Sequence, residues 1–193
     1  MPTILELANQ LRDKFPDLLS APLEFRGEVT LKLSNPEQIV EVCRFAKAEL
    51  KFNMLLDITS IDNYGEDPRW TIVYELYGLE SKVHLRIKTD VSEEKSELPS
   101  VLPVWRTADW HEREIYDMMG VRFAGHPDLR RILMWDGYPY FPLRKDFPLA
   151  GKTTELPEVA FTRQAPLEGG PFVTVPGGKD SIVREPRARG TDS

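Results

Sequence analysis

The chain has 193 residues, 25 Lys/Arg against 31 Asp/Glu, a net charge of −6 and 41% hydrophobic residues. That size and composition suit one globular domain, or one domain with a substantial extension, and the acidic balance argues against a nucleic-acid binder, which needs a basic surplus. A single cysteine, Cys43, excludes an intrachain disulfide and any multi-thiolate iron–sulfur or zinc site, and no apolar run reaches the ~18–20 residues that span a bilayer.

The opening MPTILELANQ has neither a basic region followed by an apolar run nor an early arginine cluster. The chain is therefore expected in the cytosol or on a membrane's cytosolic face. Ile4, Ala8, Leu11 and Phe15 then recur at helical spacing. Thr3 with Glu6 forms a capping-box pattern, and Pro16 marks the stop. In LEFRGEVTLKL, Gly27 turns the chain between two strands, and Val29, Leu31 and Leu33 alternate inward. Asn35 caps a second helix with Pro36 at its first position; Ile39, Cys43, Ala46 and Leu50 form its apolar face, which makes Cys43 a core residue. Three strands follow in NMLLDITSID, RWTIVYELYG and KVHLRIKTD. The last turns Val83, Leu85 and Ile87 inward and His84, Arg86 and Lys88 to a wet basic face, where His84 has no second metal ligand at i±2.

A third helix is expected in DWHEREIYDMMG. Asp109 would cap it, Glu112 would reach back in a second capping box, Arg113 would pair with Asp117 at i, i+4, and Gly120 would end it. His111, Ile115, Met118 and Met119 would form its buried stripe. The order α-β-β-α-β-β-β-α implies an α+β fold: a two-layer α/β sandwich on a mixed or antiparallel sheet. The domain is expected over residues 1–120.

Residues 121–193 differ in character. They hold nine of the sixteen prolines, and their charge is 11 Lys/Arg against 9 Asp/Glu, leaving 14 against 22 on the body. Yet aromatics recur at Phe123, Trp135, Tyr138, Tyr140, Phe141, Phe147, Phe161 and Phe172. A disordered tail is poor in aromatics, so this reads as a long extended C-terminal arm whose rings dock into pockets. Arg130-Arg131 and Arg144-Lys145-Asp146 suit salt bridges between segments or subunits.

Enzymatic motifs are missing. HERE at 111–114 opens like a zinc helix, but the second histidine would fall on Ile115. VPGGKDS at 175–181 lacks the Walker spacing, and neither a dinucleotide-binding glycine pattern nor a nucleophile elbow is present. A hydrolase built on Glu112, Glu114 and His126 remains as an alternative of a different class.

EREIYDMMGVRFAGHPDLRRIL resembles the signature of the C subunit, the 30 kDa subunit family, of the proton-pumping NADH:quinone oxidoreductase, respiratory complex I. Glu112, Arg113, Glu114, Asp117, Met118, Met119, His126, Arg130, Ile132 and Leu133 fill that pattern without a gap. PLRKDFPL at 142–149, LLDITSID and LPSVLPVWRTADWHERE also look like the family, so the likeness covers roughly residues 35–150. Many members carry Gly-His where this chain has Tyr140-Phe141. The resemblance implies a subunit of the peripheral arm without catalytic residues, metal or cofactor of its own; FMN, iron–sulfur clusters and quinone are held by other subunits. It implies packing against subunits D, B and I of the complex, the first at the quinone site and the other two in the connecting module. It also implies a peripheral position on the cytoplasmic face of the bacterial inner membrane. Similar subunits occur in complexes with other electron donors, such as energy-converting hydrogenases.

Overall fold

The computed structural model describes residues 2–152. Phe161, Phe172 and the 175–181 loop, with most of the expected arm, lie outside the described residues.

Helix α1 spans Ile4–Lys14, and both halves of its capping box form: Glu6 N donates to Thr3 Oγ1 at 3.3 Å, and Thr3 N donates to Glu6 Oε2 at 2.8 Å. Leu7, Ala8 and Leu11 are its buried face. Strands β1 (Leu23–Phe25) and β2 (Glu28–Leu33) make a hairpin whose two-residue loop, Arg26-Gly27, has positive φ at both positions. That is the geometry whose twist matches antiparallel strands. Asn35 Oδ1 accepts from Glu37 N as expected, but the first turn, Pro36–Gln38, is 3-10; α2 proper runs Ile39–Ala48.

Strands β3 (Met54–Asp62), β4 (Trp70–Gly78) and β5 (Val83–Val91) form an antiparallel meander. Strand β2 joins β5 in parallel, so the sheet is mixed, in the order β1-β2-β5-β4-β3. One sheet face carries Leu31, Ile72, Tyr74, Leu85 and Ile87, all buried in one core with α1 and α2. This is the expected two-layer α+β arrangement. The other face holds a cross-strand charge ladder instead: Lys32–Asp90 at 2.5 Å, Arg86–Glu28 at 2.8 Å and Arg86–Glu75 at 2.5 Å. His84 Nε2 lies 2.7 Å from Glu75 Oε2 in the same ladder. Glu75 and Arg86 are directly opposite in register and the other pairs are diagonal; opposite charges so placed stabilise a solvated face.

Helix α3 (Ala108–Met119) packs against β3, the edge strand of the sheet. Gly120 ends it at φ 80°, ψ 15°, with its N–H bonded to Tyr116 O, the C-terminal device expected there. Two short parallel strands had no visible sequence signal: β6 (Glu97–Pro99) and β7 (Arg122–Ala124). At three residues each, they are too short to show alternation.

The first compact unit runs Met1–Lys145 and the second Asp146–Ser193. Residues 121–145, assigned to the arm by composition, thus belong to the first unit. In the second, Gly151 N donates to Pro148 O, and Lys152 Nζ lies 6.0 Å from the Phe147 ring centroid.

Candidate functional site

Residues 125–145 contain no helix or strand, yet their backbone must find hydrogen-bond partners where water is excluded. Some are met by nearby backbone, and side chains of α3, of the stretch itself and of β3 supply others.

Asp117, fully buried, is the centre. Its Oδ2 accepts three consecutive backbone N–H groups, from Ile132 at 3.0 Å, Leu133 at 2.7 Å and Met134 at 2.8 Å. Its Oδ1 receives Arg131 Nη1 at 2.6 Å. Burial pushes the Asp117 carboxyl up, but the Met134, Arg131, Leu133 and Ile132 donors together outweigh it and hold the group below its usual range. The expected pair between Arg113 and Asp117 does not form. Arg113 donates from Nε to Arg130 O at 3.2 Å and from Nη2 to Arg131 O at 3.1 Å. Aspartate and arginine, one turn apart, divide the work: the acid takes amides, the base takes carbonyls.

Arg131 continues the chain of contacts. It donates to Asp117 O at 3.0 Å and Tyr140 O at 3.1 Å, and its guanidinium lies over the rings of Tyr138 and Phe141. Tyr140-Phe141 therefore gives Arg131 a carbonyl and a ring. Arg144 donates from Nε to Met119 O at 2.6 Å and stacks 4.4 Å from the Phe141 centroid and 5.2 Å from that of Trp70. Gly120 makes room for this: a Cβ there would sit 2.5 Å from Arg144 Nη2 and 2.8 Å from the Phe141 ring. Lys145 contributes its backbone, with N–H donating to Asp62 Oδ2 at 2.8 Å.

Asp62 was not singled out in the sequence, nor was Arg69. They form a buried bidentate pair at 2.9 and 3.0 Å, each 2% exposed, and Arg69 also reaches Glu93 at 2.5 Å. The available signal was the hairpin: an acid closing β3 and a base just before β4 meet when those strands pair.

Glu112 departs furthest from expectation. It does not reach back to the helix start, and Thr107, not Asp109, occupies the N-cap, without a side-chain bond. The Glu112 side chain is fully buried and accepts from Ser100 Oγ at 2.6 Å and Val101 N at 2.7 Å. Burial raises its pKa to about 7 against the pull of those two bonds, and the Asp109 charge adds to the rise. Burial first raises the Cys43 thiol and the Tyr74 hydroxyl, with a smaller push from Glu112 on the thiol and from Cys43 and then Glu112 on the hydroxyl, so the three groups share one interior region.

The remaining candidates are scattered. Asp109 faces His126, whose Nε2 lies 3.2 Å from Asp109 Oδ1 and whose Nδ1 accepts from Asp128 N at 3.1 Å. Arg130 pairs with Asp128 in an exposed 2.9 Å contact. Glu114 is exposed, and Asp146 opens the second unit. His111 is half-buried, with Nδ1 3.1 Å from Asp57 Oδ1, while Ile115 and Met118 fill the buried stripe. Glu112, Glu114 and His126 do not converge: one is interior, one faces solvent and one pairs with Asp109. Among the described residues no three His, Cys, Asp or Glu side chains converge as metal ligands.

Comparison with known proteins matches residues 33–153 to the family described as respiratory-chain NADH dehydrogenase, 30 Kd subunit. The C subunit of NADH-quinone oxidoreductase from Geotalea uraniireducens (strain Rf4) is 48% identical over 146 residues, covering 76% of this chain and 88% of its own length. A solved structure described as Nqo5 of the trypsin-resistant fragment superposes with a TM-score of 0.55 at 31% identity, covering 63% of this chain and 95% of that one. A chain of the membrane-bound sulfane sulfur reductase, an archaeal respiratory membrane complex, superposes with a TM-score of 0.65 at 25% identity, covering 75% and 85% respectively.

Proposed function

This chain belongs to the family of the respiratory-chain NADH dehydrogenase 30 kDa subunit, and from that premise we propose that it is a peripheral-arm subunit of NADH:quinone oxidoreductase that works by holding shape. It supports electron transfer from NADH to quinone, coupled to proton translocation, without catalytic residues of its own. FMN, iron–sulfur clusters and quinone belong to other subunits. Its partners are subunits D, B and I, the first at the quinone site and the others in the connecting module. Its place is peripheral, on the cytoplasmic face of a bacterial inner membrane; no helix of the described residues is long and apolar enough to cross a membrane.

The observation that carries this reading is what the signature charges do. Asp117, Arg113, Arg131 and Arg144 are engaged with backbone groups and rings of residues 117–144, an arrangement suited to fixing a surface rather than turning over substrate. Two features fit the extended-arm reading of the segment beyond: proline-rich composition and recurrent aromatics.

Blue-native electrophoresis of membranes, stained for NADH dehydrogenase activity, tests the proposal. The chain should co-migrate with the active band; a chain that never does so sinks it. The likeness to a sulfane sulfur reductase chain favours one second reading, an equivalent subunit in a respiratory complex with another electron donor. Co-purification with NADH- and flavin-binding subunits, or with a nickel-hydrogenase or sulfur-reducing subunit, separates the two.

A further inference from the structure

Helix α3 presents one stripe that the scaffold does not use. Arg106, Trp110 and Glu114 follow one another at four-residue steps, so they line one side of the helix and its entry turn. Trp110 is 69% exposed, although a tryptophan is among the least expected side chains on an idle surface. Beside it stand Ile132 and Leu133, the latter 63% exposed. Together with Thr107 and His111 these residues line an open groove of about 560 Å³.

Two observations make this more than an apolar patch. First, Ile132 and Leu133 are displayed rigidly although they lie in irregular chain, because their N–H groups are bound by Asp117. Pre-organised apolar groups lose little freedom on docking. Second, the groove is electrically polar along its length. Among the described residues, Arg106 at one end and Glu114 at the other make no ion pair or side-chain hydrogen bond, unlike His111 between them, which meets Asp57. Glu114 lies one helical turn beyond Trp110, and Arg106 stands in the turn that leads into the helix.

We propose that this groove is a docking site for a segment of a neighbouring subunit of the same complex, an apolar anchor seated between Trp110 and Leu133 with an acid facing Arg106 and a base facing Glu114. The proposal rests on the complex membership argued above. It gives the region a division of labour: Asp117, Arg113 and Arg131 bind the backbone and shape the wall, while Trp110, Ile132 and Leu133 touch the partner. Exposed aromatic anchors ringed by polar groups are typical of the residues that dominate association.

A photo-reactive amino acid placed at Trp110 in the full chain, irradiated in membranes holding the assembled complex, tests this. The expected adduct is with another subunit of that complex. The double substitution Trp110→Ala with Leu133→Ser should lower the amount of chain retained in the complex by about tenfold. The purified variant should keep its thermal midpoint, since both side chains are largely exposed. Arg106→Glu with Glu114→Arg should weaken retention with the same midpoint. An adduct with a second copy of this chain, an adduct with its own residues beyond 152, or no adduct overturns the proposal, as does full retention of the double variant. Co-migration of the wild-type chain with the NADH-oxidising band but no adduct removes the groove and leaves the functional reading. Absence from that band removes the reading, and the groove is then judged by the adduct within the complex that does hold the chain.

Discussion

Asp117 and Arg131 lie 2.6 Å apart, the acid fully buried and the base 11% exposed, and each also binds backbone that the other does not reach. Breaking such a pair from one side leaves the partner charge and three amides unsatisfied. We expect Asp117→Ala to destabilise the isolated chain by about 3–5 kcal/mol in urea unfolding. Arg130→Ala, which removes only the exposed contact with Asp128, should change stability by less than about 0.5 kcal/mol. Equal effects from the two substitutions would refute the assignment.

Glu112 predicts an unusual pH dependence. Its carboxyl has an ordinary value of 4.5 and a folded value of about 7, so the folded state holds a proton that the unfolded state has released between those limits. Stability from this group is complete below pH 4.5 and declines as pH rises through 7. The full decline is about 3 kcal/mol at most. Glu112→Gln should flatten the slope between about pH 4.5 and pH 7 in urea titrations. A slope that persists in the variant would assign it to another group.

Asp62 and Asp117 act in the opposite sense. Both carboxyls lie below their ordinary 3.8 in the folded chain despite burial, held there by Arg69 and Lys145 N–H in one case and by Arg131 and three amides in the other. Their stabilisation is present above pH 3.8 and is lost as pH falls through their folded values. Acid unfolding followed by circular dichroism should therefore shift to higher pH in Asp62→Asn.

Gly120→Ala should cost about 2 kcal/mol or more, because an L-residue at φ 80° is strained and the new methyl meets Arg144 and Phe141. Thermal unfolding of the purified chain reads this directly. An unchanged midpoint would mean that the ring and the guanidinium yield freely.

Charge reversal at Arg113 or Arg144 places a carboxylate against the carbonyls of Arg130 and Arg131 or of Met119. The amount of assembled complex should fall while NADH-to-quinone turnover per assembled complex stays near wild type. Normal assembly with lost turnover would reopen a catalytic role.

Much of the framework was legible in the sequence because its causes are local. The Thr3–Glu6 capping box, the Arg26-Gly27 turn, the alternation in β2 and β5 and the Gly120 stop each depend on residues within a few positions of one another. The site was legible as a location but not as a set of contacts. Rules for i, i+4 pairs and capping boxes assigned Asp117 to Arg113 and Glu112 to the helix start. Both acids instead serve chain 11 to 17 residues away. A local rule cannot register that competing demand, since it arises only when irregular backbone is buried beside the helix. The Asp62–Arg69 pair was missed for the same reason: its value comes from burial, which the intervening turn conceals.

Residues 125–145 have no ladder of their own; the amides of Ile132, Leu133, Met134 and Lys145 and the carbonyls of Arg130, Arg131 and Tyr140 are bound by Asp117, Asp62, Arg113 and Arg131, and Arg144 ties the stretch back to Met119 O. Such a segment cannot fray residue by residue. The amide protons of Leu133, Met134 and Lys145 should exchange with deuterium at one common rate, set by the opening of the whole helix-and-loop unit. For evolution of this surface, five side chains count as main chain: replacing one rewires a loop whose own sequence is untouched.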